Sequence, residues 1–260
     1  MAGVSVRRIA CVDSGSPKAL AALDTIRRRH QVVPADQAEV VVALGGDGLI
    51  LHSLHRFFEL DVPLYGMNCG TVGFLTNELR EDGLLERIAA AETATLSPLR
   101  MTAVTTGGTR HEFLAFNEVS LIRYSAQSAN LRVLIDGIER VPKLVCDGIL
   151  LATPAGSTAY NFSAGGSVLP LQSDLMALTP ISPFRPRRWG GAILTSSAVV
   201  EFVNLEPAKR PLGASADFQE VEGVVRVEVR VEPANRRRLL FDPGATLEER
   251  ILGEQFAHGE

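Results

Sequence analysis

The residues best placed to do chemistry are Gly45-Gly46-Asp47-Gly48. They follow the apolar run Val40-Val41-Val42-Ala43-Leu44, and apolar residues resume at Leu49-Ile50-Leu51 with helical spacing out to Phe58. A strand, a glycine turn and a helix start make a pocket for phosphate: glycine lets the backbone approach an anion closely, and the N–H groups of the helix start point at it. A purely structural turn between strand and helix is the alternative. Asp47 is out of place in a simple phosphate cradle, because a carboxylate repels phosphate. An acid there predicts a general base, a metal ligand, or both. The turn lacks the Gly-Lys-Ser/Thr ending of a Walker A loop and the G-x-G-x-x-G spacing of a dinucleotide fingerprint.

Three further stretches carry polar or glycine-rich patterns. In Gly66-Met67-Asn68-Cys69-Gly70-Thr71-Val72-Gly73-Phe74-Leu75-Thr76, Phe74 offers an aromatic face that could stack on a base or simply fill a core. Asn117-Glu118 interrupts an apolar segment. Asn can pair with an adenine edge and Glu with a ribose diol, while a turn or bulge is the plainer reading. The segment Asp147–Gly166 leads from a buried strand into Thr153-Pro154-Ala155-Gly156, after which Ser157 and Thr158 are expected to cap a short helix. His52 and His55 lack a completing carboxylate or cysteine for zinc, and Ser157 lacks a G-x-S-x-G context.

The elements that must position these residues change in character along the chain. Strands are predicted at Val6–Val12, Glu39–Leu44 and Val62–Met67. Helices are predicted from Pro17 to about His30, with apolar face Leu20, Leu23 and Ile26, over Leu49–Phe58, and from about Glu81 to Glu92. This alternation predicts a parallel α/β sheet with ligands at the carboxyl ends of its strands. After Ser97-Pro98 strand signals dominate. Leu99–Thr106 and Thr109–Arg123 read as a hairpin around Gly107-Gly108, and Leu131–Asp136 pairs with Ile138 onward. Gly191–Leu205 and Val221–Glu232 alternate as half-buried antiparallel strands do. A last helix, Thr246–Phe256, is expected to pack back on the first domain. The domains expected are therefore 1–97, an α/β (Rossmann-like) domain, 98–240, a β-rich antiparallel domain, and 241–260, a returning segment.

Composition narrows the classes. The 260 residues carry 26 basic and 30 acidic side chains, a net charge of −4 that makes no electrostatic case for nucleic acid or for an anionic membrane. Arg236-Arg237-Arg238 reads as a solvated turn. Cys11, Cys69 and Cys146 are odd in number and far apart, which suits a reducing compartment. No signal-peptide core and no apolar run of transmembrane length is present, so a soluble, cytoplasmic protein is expected.

Taken in order, Gly45-Gly46-Asp47-Gly48, Gly66-x-Asn68-x-Gly70-x-x-Gly73-Phe74-Leu75, Asn117-Glu118 and Asp147-Gly148…Thr153-Pro154-x-Gly156-Ser157-Thr158-Ala159-Tyr160 resemble one family, the NAD kinases. The resemblance runs over nearly the whole chain, and Leu178–Arg187 looks like a proteobacterial variant. It implies transfer of a phosphoryl group from ATP or polyphosphate, with Mg²⁺, to the 2′-hydroxyl of the adenosine ribose of NAD. It also implies roles: Asp47 as the base, and Gly45, Gly46 and Gly48 on phosphate oxygens. Phe74 would lie against the adenine, Asn117 on the adenine edge, Glu118 on the ribose hydroxyls and Asp147 on the nicotinamide amide. Thr158, Ala159, Tyr160, Asn161, Phe162 and Ser163 would line the dinucleotide groove, with Gln219 reaching ligand from a late loop. Members are homodimers or homotetramers whose sites borrow residues from a neighbouring subunit. One departure concerns the phosphoryl donor: Val145 stands where many bacterial members have arginine, and Lys143 is the nearest cation along the chain. A lipid or sugar kinase sharing the glycine loop, and a non-catalytic NAD-binding sensor, are the competing classes.

Overall fold

The structure, a computed structural model, describes residues 6–70 and 73–244. They fold as two units, one formed by 6–96 with 237–244, the other by Ser97–Arg236. The expected helix Thr246–Phe256 lies outside the described residues.

In the first unit the chain runs β1 (Ile9–Asp13), α1 (Pro17–Arg29), β2 (Val40–Gly45), α2 (Asp47–Arg56), β3 (Leu64–Asn68), α3 (Leu84–Ala90) and β4 (Glu92–Leu96). Ser16 caps α1, its Oγ accepting from Ala19 N at 3.2 Å, and Pro17 pre-sets the first turn. Ala19, Ala22, Leu23 and Ile26 form its buried face, whereas Leu20 is 46% exposed and does not belong to it. α2 starts two residues earlier than expected, with Gly46 as N-cap and Asp47 as its first residue. α3 is shorter than expected, and the strand β4 was not foreseen.

β1, β2 and β3 pair in parallel, with Gly45 opposite Asn68, so the two glycine-rich loops leave adjacent strand ends. Beyond β3 the sheet is completed by Arg237–Phe241, parallel to β3 and antiparallel to β4. This corrects the reading of Arg236-Arg237-Arg238 as a solvated turn for Arg237 and Arg238, which open the strand; Arg236 is exposed and precedes it. Arg237 lies over the Phe58 ring at 4.2 Å and donates to Phe58 O, and Arg238 donates to Asp61. The planar head of Arg237 covers the Phe58 ring, which a sequence pattern of three cations conceals.

A buried polar network locks the returning strand. Arg87, 9% exposed, pairs with Asp242 and donates to Arg80 O at 2.5 Å and Glu78 O at 3.1 Å. Tyr65 donates to Asp242 Oδ1 at 2.6 Å, and Asn77 joins Gly66 O to Leu240 O at 3.0 Å each.

The second unit is antiparallel throughout. Its strands are β5 (Leu99–Thr105), β6 (Arg110–Ala115), β7 (Glu118–Arg123), β8 (Ala129–Ile135), β9 (Ile138–Cys146), β10 (Gly148–Ala152), β11 (Leu175–Ile181), β12 (Ala192–Thr195), β13 (Val200–Asn204), β14 (Leu212–Ala216), β15 (Gln219–Glu222) and β16 (Val224–Val231). The strand Arg237–Phe241 of the first unit is β17. Two six-stranded sheets form, β6-β5-β16-β13-β8-β9 and β12-β11-β10-β7-β14-β15. Met101, Leu131 and Phe202 from one share a core with Leu121, Leu151 and Met176 from the other. The outer face of the second sheet is covered as well, with Leu150, Ala152 and Ala177 under Leu169. That is why β10 is apolar at every position rather than alternating.

Three segments read as single strands are each two strands in different sheets. Thr109–Arg123 divides at Phe116-Asn117 into β6 and β7; Gly191–Leu205 into β12 and β13; and Val221–Glu232 into β15 and β16, where Gly223 takes φ +67°. A chain switching sheets keeps its apolar alternation on both sides of the corner, so the pattern alone does not show the break. Among the described residues no helix is long and apolar enough to cross a membrane.

The network around Asp242 gives a test. Burial pushes its carboxyl up, but hydrogen bonds from Arg87 and Tyr65 outweigh this and hold it below the usual carboxylate range. Its stabilising contribution is therefore full at neutral pH and lost as pH falls through that depressed value. Asp242→Asn leaves Arg87 buried beside a neutral partner. Urea unfolding at pH 7 should show the first unit weakened by about 3 kcal/mol, and the variant should lose less stability than the parent between neutral and acid pH.

Candidate active site

Asp47 begins α2, where the first N–H groups of the helix lack intrahelical acceptors. Its carboxylate faces the neighbouring glycine-rich loop: Oδ2 accepts from Phe74 N and Oδ1 from Leu75 N, both at 2.9 Å. Cys69 N also donates to Gly45 O at 3.0 Å, tying the two loops together at the strand ends. Gly73 permits this approach, since a Cβ there would lie 2.1 Å from Thr76 Oγ1 and 3.4 Å from Asp47 Oδ1. The acid that looked anomalous in a phosphate turn thus has a local task, gripping the second loop. Phe74 is half-buried.

In the second unit, Asn117 and Glu118 stand at the corner between β6 and β7, and their backbone is held from two sides. Asp217 accepts from Phe116 N (2.7 Å), Asn117 N (2.9 Å) and Glu118 N (3.3 Å). On the other side Thr153 Oγ1 donates to Phe116 O at 2.6 Å and Thr153 N donates to Asn117 O at 2.9 Å. Thr153 Oγ1 also accepts from Gly156 N at 3.0 Å, and a Cβ on Gly156 would meet Asn117 O at 2.1 Å. Only glycine fits against that backbone. Sheet register explains the meeting: Glu118 is opposite Ala152, and Val119 is opposite Ala216. The clamped segment leaves two buried acceptors, Asn117 Oδ1 and Glu118 Oε2, with no hydrogen-bond partner among the described residues. Burial first, and then the charge of Asp217, push the Glu118 carboxyl up to about 7.

After Thr153 the chain makes a 3₁₀ turn, Ala155–Thr158, and one helical turn, Tyr160–Ser163, here α4. The hydroxyls expected to cap it bond otherwise. Ser157 Oγ donates to Pro154 O at 2.6 Å and accepts from Leu169 N at 2.9 Å, and Thr158 Oγ1 donates to Ala155 O at 3.3 Å. Of the residues assigned to a groove, Tyr160, Phe162 and Ser163 are exposed, and Thr158 and Ala159 half-buried. Asn161 is a correction. It is fully buried, Nδ2 donates to Ser157 O and Ser167 O at 3.0 Å, and Oδ1 accepts from Thr179 Oγ1 at 2.6 Å, so its side chain is spent on shaping the segment.

Asp147 is not brought to Asn117-Glu118. Gly148 is opposite Ile122 while Ala152 is opposite Glu118, which places Asp147 about 17 Å along the sheet at ~3.4 Å per residue. The cation that meets it is Arg123, Nε to Oδ1 at 2.5 Å, rather than Lys143, which is exposed. Val145, whose side chain departs from the resemblance, exchanges backbone bonds with Arg185, accepting at 3.2 Å and donating at 2.8 Å. Gln219 opens β15 and is half-buried beside the Asp217-Phe218 hairpin tip.

Asp217 and Arg123 were given no role from the sequence, and Thr153 and Gly156 stood only within a motif, without the clamping role seen here. Asp217 had one available signal, a polar residue in a two-residue connection between alternating strands. Other chemistries lose support: no group of three His, Cys, Asp or Glu side chains gathers among the described residues. Burial holds Cys69 protonated, and does the same for Cys11 and Cys146, pushed up to about 11 and about 12.

Comparison with known proteins places this geometry. Residues 8–92 match the model of the ATP-NAD kinase N-terminal domain, and residues 116–205 that of the C-terminal domain. The chain is 54% identical to the NAD kinase of Cereibacter sphaeroides over 250 residues, covering 96% of this chain and 98% of that protein. It is 52% identical to the NAD kinase of Caulobacter vibrioides over 252 residues, covering 97% of each. Among solved structures, the fold is shared with yeast NADH kinase complexed with NADH (TM-score 0.82, 20% identity, 99% of this chain and 90% of that one). It is also shared with an NAD kinase from Archaeoglobus fulgidus in complex with ATP (TM-score 0.77, 24% identity, 97% and 100%).

The clamp predicts that Gly156→Ala, a one-carbon change at a buried backbone contact, lowers the stability of the second unit by about 1–3 kcal/mol in chemical denaturation. Alanine at the exposed tip position Gly165 has no such contact to break, but its φ of +81° makes it a test of turn strain instead.

Proposed function

The chain belongs to the NAD kinase family, and we propose that it transfers a phosphoryl group from ATP or polyphosphate to the 2′-hydroxyl of the adenosine ribose of NAD, giving NADP. The observation that carries the mechanism is Asp47, a carboxylate at a glycine turn and helix start, oriented by two backbone N–H groups. With its plane fixed, an oxygen of Asp47 accepts the 2′-hydroxyl proton as the hydroxyl oxygen bonds to the donor's terminal phosphorus, whose bond to the bridging oxygen breaks to release ADP or the shortened polyphosphate. A base so positioned contributes about 10²–10⁴-fold. Gly45, Gly46 and Gly48 bring backbone N–H groups to the donor phosphates.

Asn117 and Glu118 recognise the nucleoside. The buried Asn117 Oδ1 suits the adenine amino group, and Glu118 Oε2 suits a ribose hydroxyl. Phe74 packs on the adenine, and Thr158, Ala159, Tyr160, Phe162, Ser163 and Gln219 line the dinucleotide path. Asp147, oriented by Arg123, accepts from the nicotinamide amide with its second oxygen.

The residues fit Mg²⁺ in the form a phosphate donor brings it. That ion keeps waters and phosphate oxygens and needs only one or two protein carboxylates, so the lack of a three-residue cluster among the described residues is compatible with it. Asp47 would be its protein contact, and the ion would offset charge on the donor phosphates. Assembly into a homodimer or homotetramer is part of the proposal; exposed Tyr124, Phe184 and Ile193 on the second unit are surfaces that it would cover.

Purified protein with NAD, Mg²⁺ and ATP, then polyphosphate, should yield NADP in a coupled dehydrogenase assay; no product from either donor sinks the proposal. Asp47→Asn should lower kcat by about 10²–10⁴-fold while NAD affinity by calorimetry changes little. An equal loss of binding would mean that Asp47 acts only by holding the loop.

A further inference from the structure

We propose that Asp217 is a positioning residue for dinucleotide recognition: its carboxylate sets the backbone of Asn117 and Glu118, and its charge, added to the burial of Glu118, helps set the pH at which Glu118 recognises ligand. The inference rests on the reading of Asn117-Glu118 as the nucleoside site and adds a residue to it.

The geometry is specific. Asp217 and Phe218 form the two-residue tip between β14 and β15, closing the pair Ala216 and Gln219. Asp217 has φ +53°, a left-handed conformation that such tips usually give to glycine or asparagine. A carboxylate in this position, despite the conformational penalty, takes three successive N–H groups, those of Phe116, Asn117 and Glu118. Its own N–H donates back to Glu118 O at 3.1 Å, so the tip and the corner are reciprocally bound. Charge-assisted bonds of this kind are stronger than neutral ones. They bridge about a hundred residues of sequence and fix the corner at which the chain changes sheets. Without them three N–H groups at the mouth of the site would need other acceptors.

The same charge acts on Glu118. Its neighbours across the sheet are Ala152 and the Asp217 tip, and the segment Thr153–Tyr160 has no charged residue. Arg123 and Asp147 lie at the far end of β7 and β10 and pair with each other. Glu220 and Glu222, exposed on β15, stand one strand beyond β14. Asp217 is thus the charged group of this unit that acts on the Glu118 carboxyl, which burial and that charge together push up to about 7. An ionised Glu118 accepts from ribose hydroxyls, whereas a protonated one gives up acceptor capacity. Recognition therefore strengthens as pH rises through about 7.

Asp217→Asn removes the charge while asparagine tolerates the left-handed backbone. For the parent, kcat/KM for NAD should rise with pH through an acid limb near 7, since this ratio reports groups of the free enzyme. In Asp217→Asn the limb should move to lower pH, and KM for NAD should rise roughly tenfold with a smaller change in kcat. A raised KM with an unmoved limb would reduce Asp217 to a structural tie and overturn the proposal; so would unchanged kinetics. A second series needs no turnover. Glu118 has its folded pKa raised, so its contribution to stability is full in acid and lost as pH rises through about 7. Melting temperature against pH should show this loss in the parent, not in Glu118→Gln, and at lower pH in Asp217→Asn. Identical curves for the parent and Asp217→Asn overturn the proposal even if the protein makes no NADP, a result that would instead count against the functional reading.

Discussion

In each unit a candidate loop depends on a carboxylate that takes consecutive backbone N–H groups. Asp47 binds the amides of Phe74 and Leu75, and Asp217 those of Phe116, Asn117 and Glu118. A backbone N–H near a binding surface must find an acceptor, and an ionised side chain is a strong one. The result in each unit is a loop held in part by a distant acid, with Thr153 sharing the task at Asn117 and Cys69 N at Gly45. In the first unit that acid also stands at the helix start, where a phosphate is favoured. In the second, the acid leaves Asn117 Oδ1 and Glu118 Oε2 buried and ready to accept.

The scaffolds bring these partners together by register. Parallel pairing of β2 with β3 puts Gly45 beside Asn68, so the glycine turn and the loop after β3 share one sheet end. Antiparallel pairing of β10, β7 and β14 brings Ala152, Glu118 and Ala216 to one end of a sheet. Asp147 leaves the other end of β10. A ligand reaching both Glu118 and Asp147 would therefore be extended along the sheet, as a dinucleotide is. The outer cover of that sheet is held by side-chain hydrogen bonds of Asn161, Thr179 and Ser157.

Much of the architecture was legible before the structure. The Ser16-Pro17 helix start, the buried β2, the change from alternating strands and helices to mostly strands near residue 97, and the turn between Ile135 and Ile138 all follow from short-range chemistry. So does the family resemblance, because its motifs are contiguous runs. Several failures come from long-range placement that local pattern does not encode. Thr109–Arg123, Gly191–Leu205 and Val221–Glu232 have continuous alternation, yet each crosses between sheets. Arg237 and Arg238 look solvated but begin a strand whose apolar residues Leu239, Leu240 and Phe241 lie in the core.

The sequence by itself determined the glycine turn with its acid, the asparagine–glutamate pair, the order of the motifs and the class of each unit. These are properties of neighbouring residues and of periods of two or 3.6. Tertiary structure alone decided which amides Asp47 and Asp217 hold, that Arg123 rather than Lys143 meets Asp147, and that Asn161 turns inward. Each of the first two is a pairing across at least 24 residues of chain, and Asn161 is spent on Thr179, 18 residues on. Such pairings are set by sheet register and by the need to satisfy buried polar groups, which no local pattern encodes.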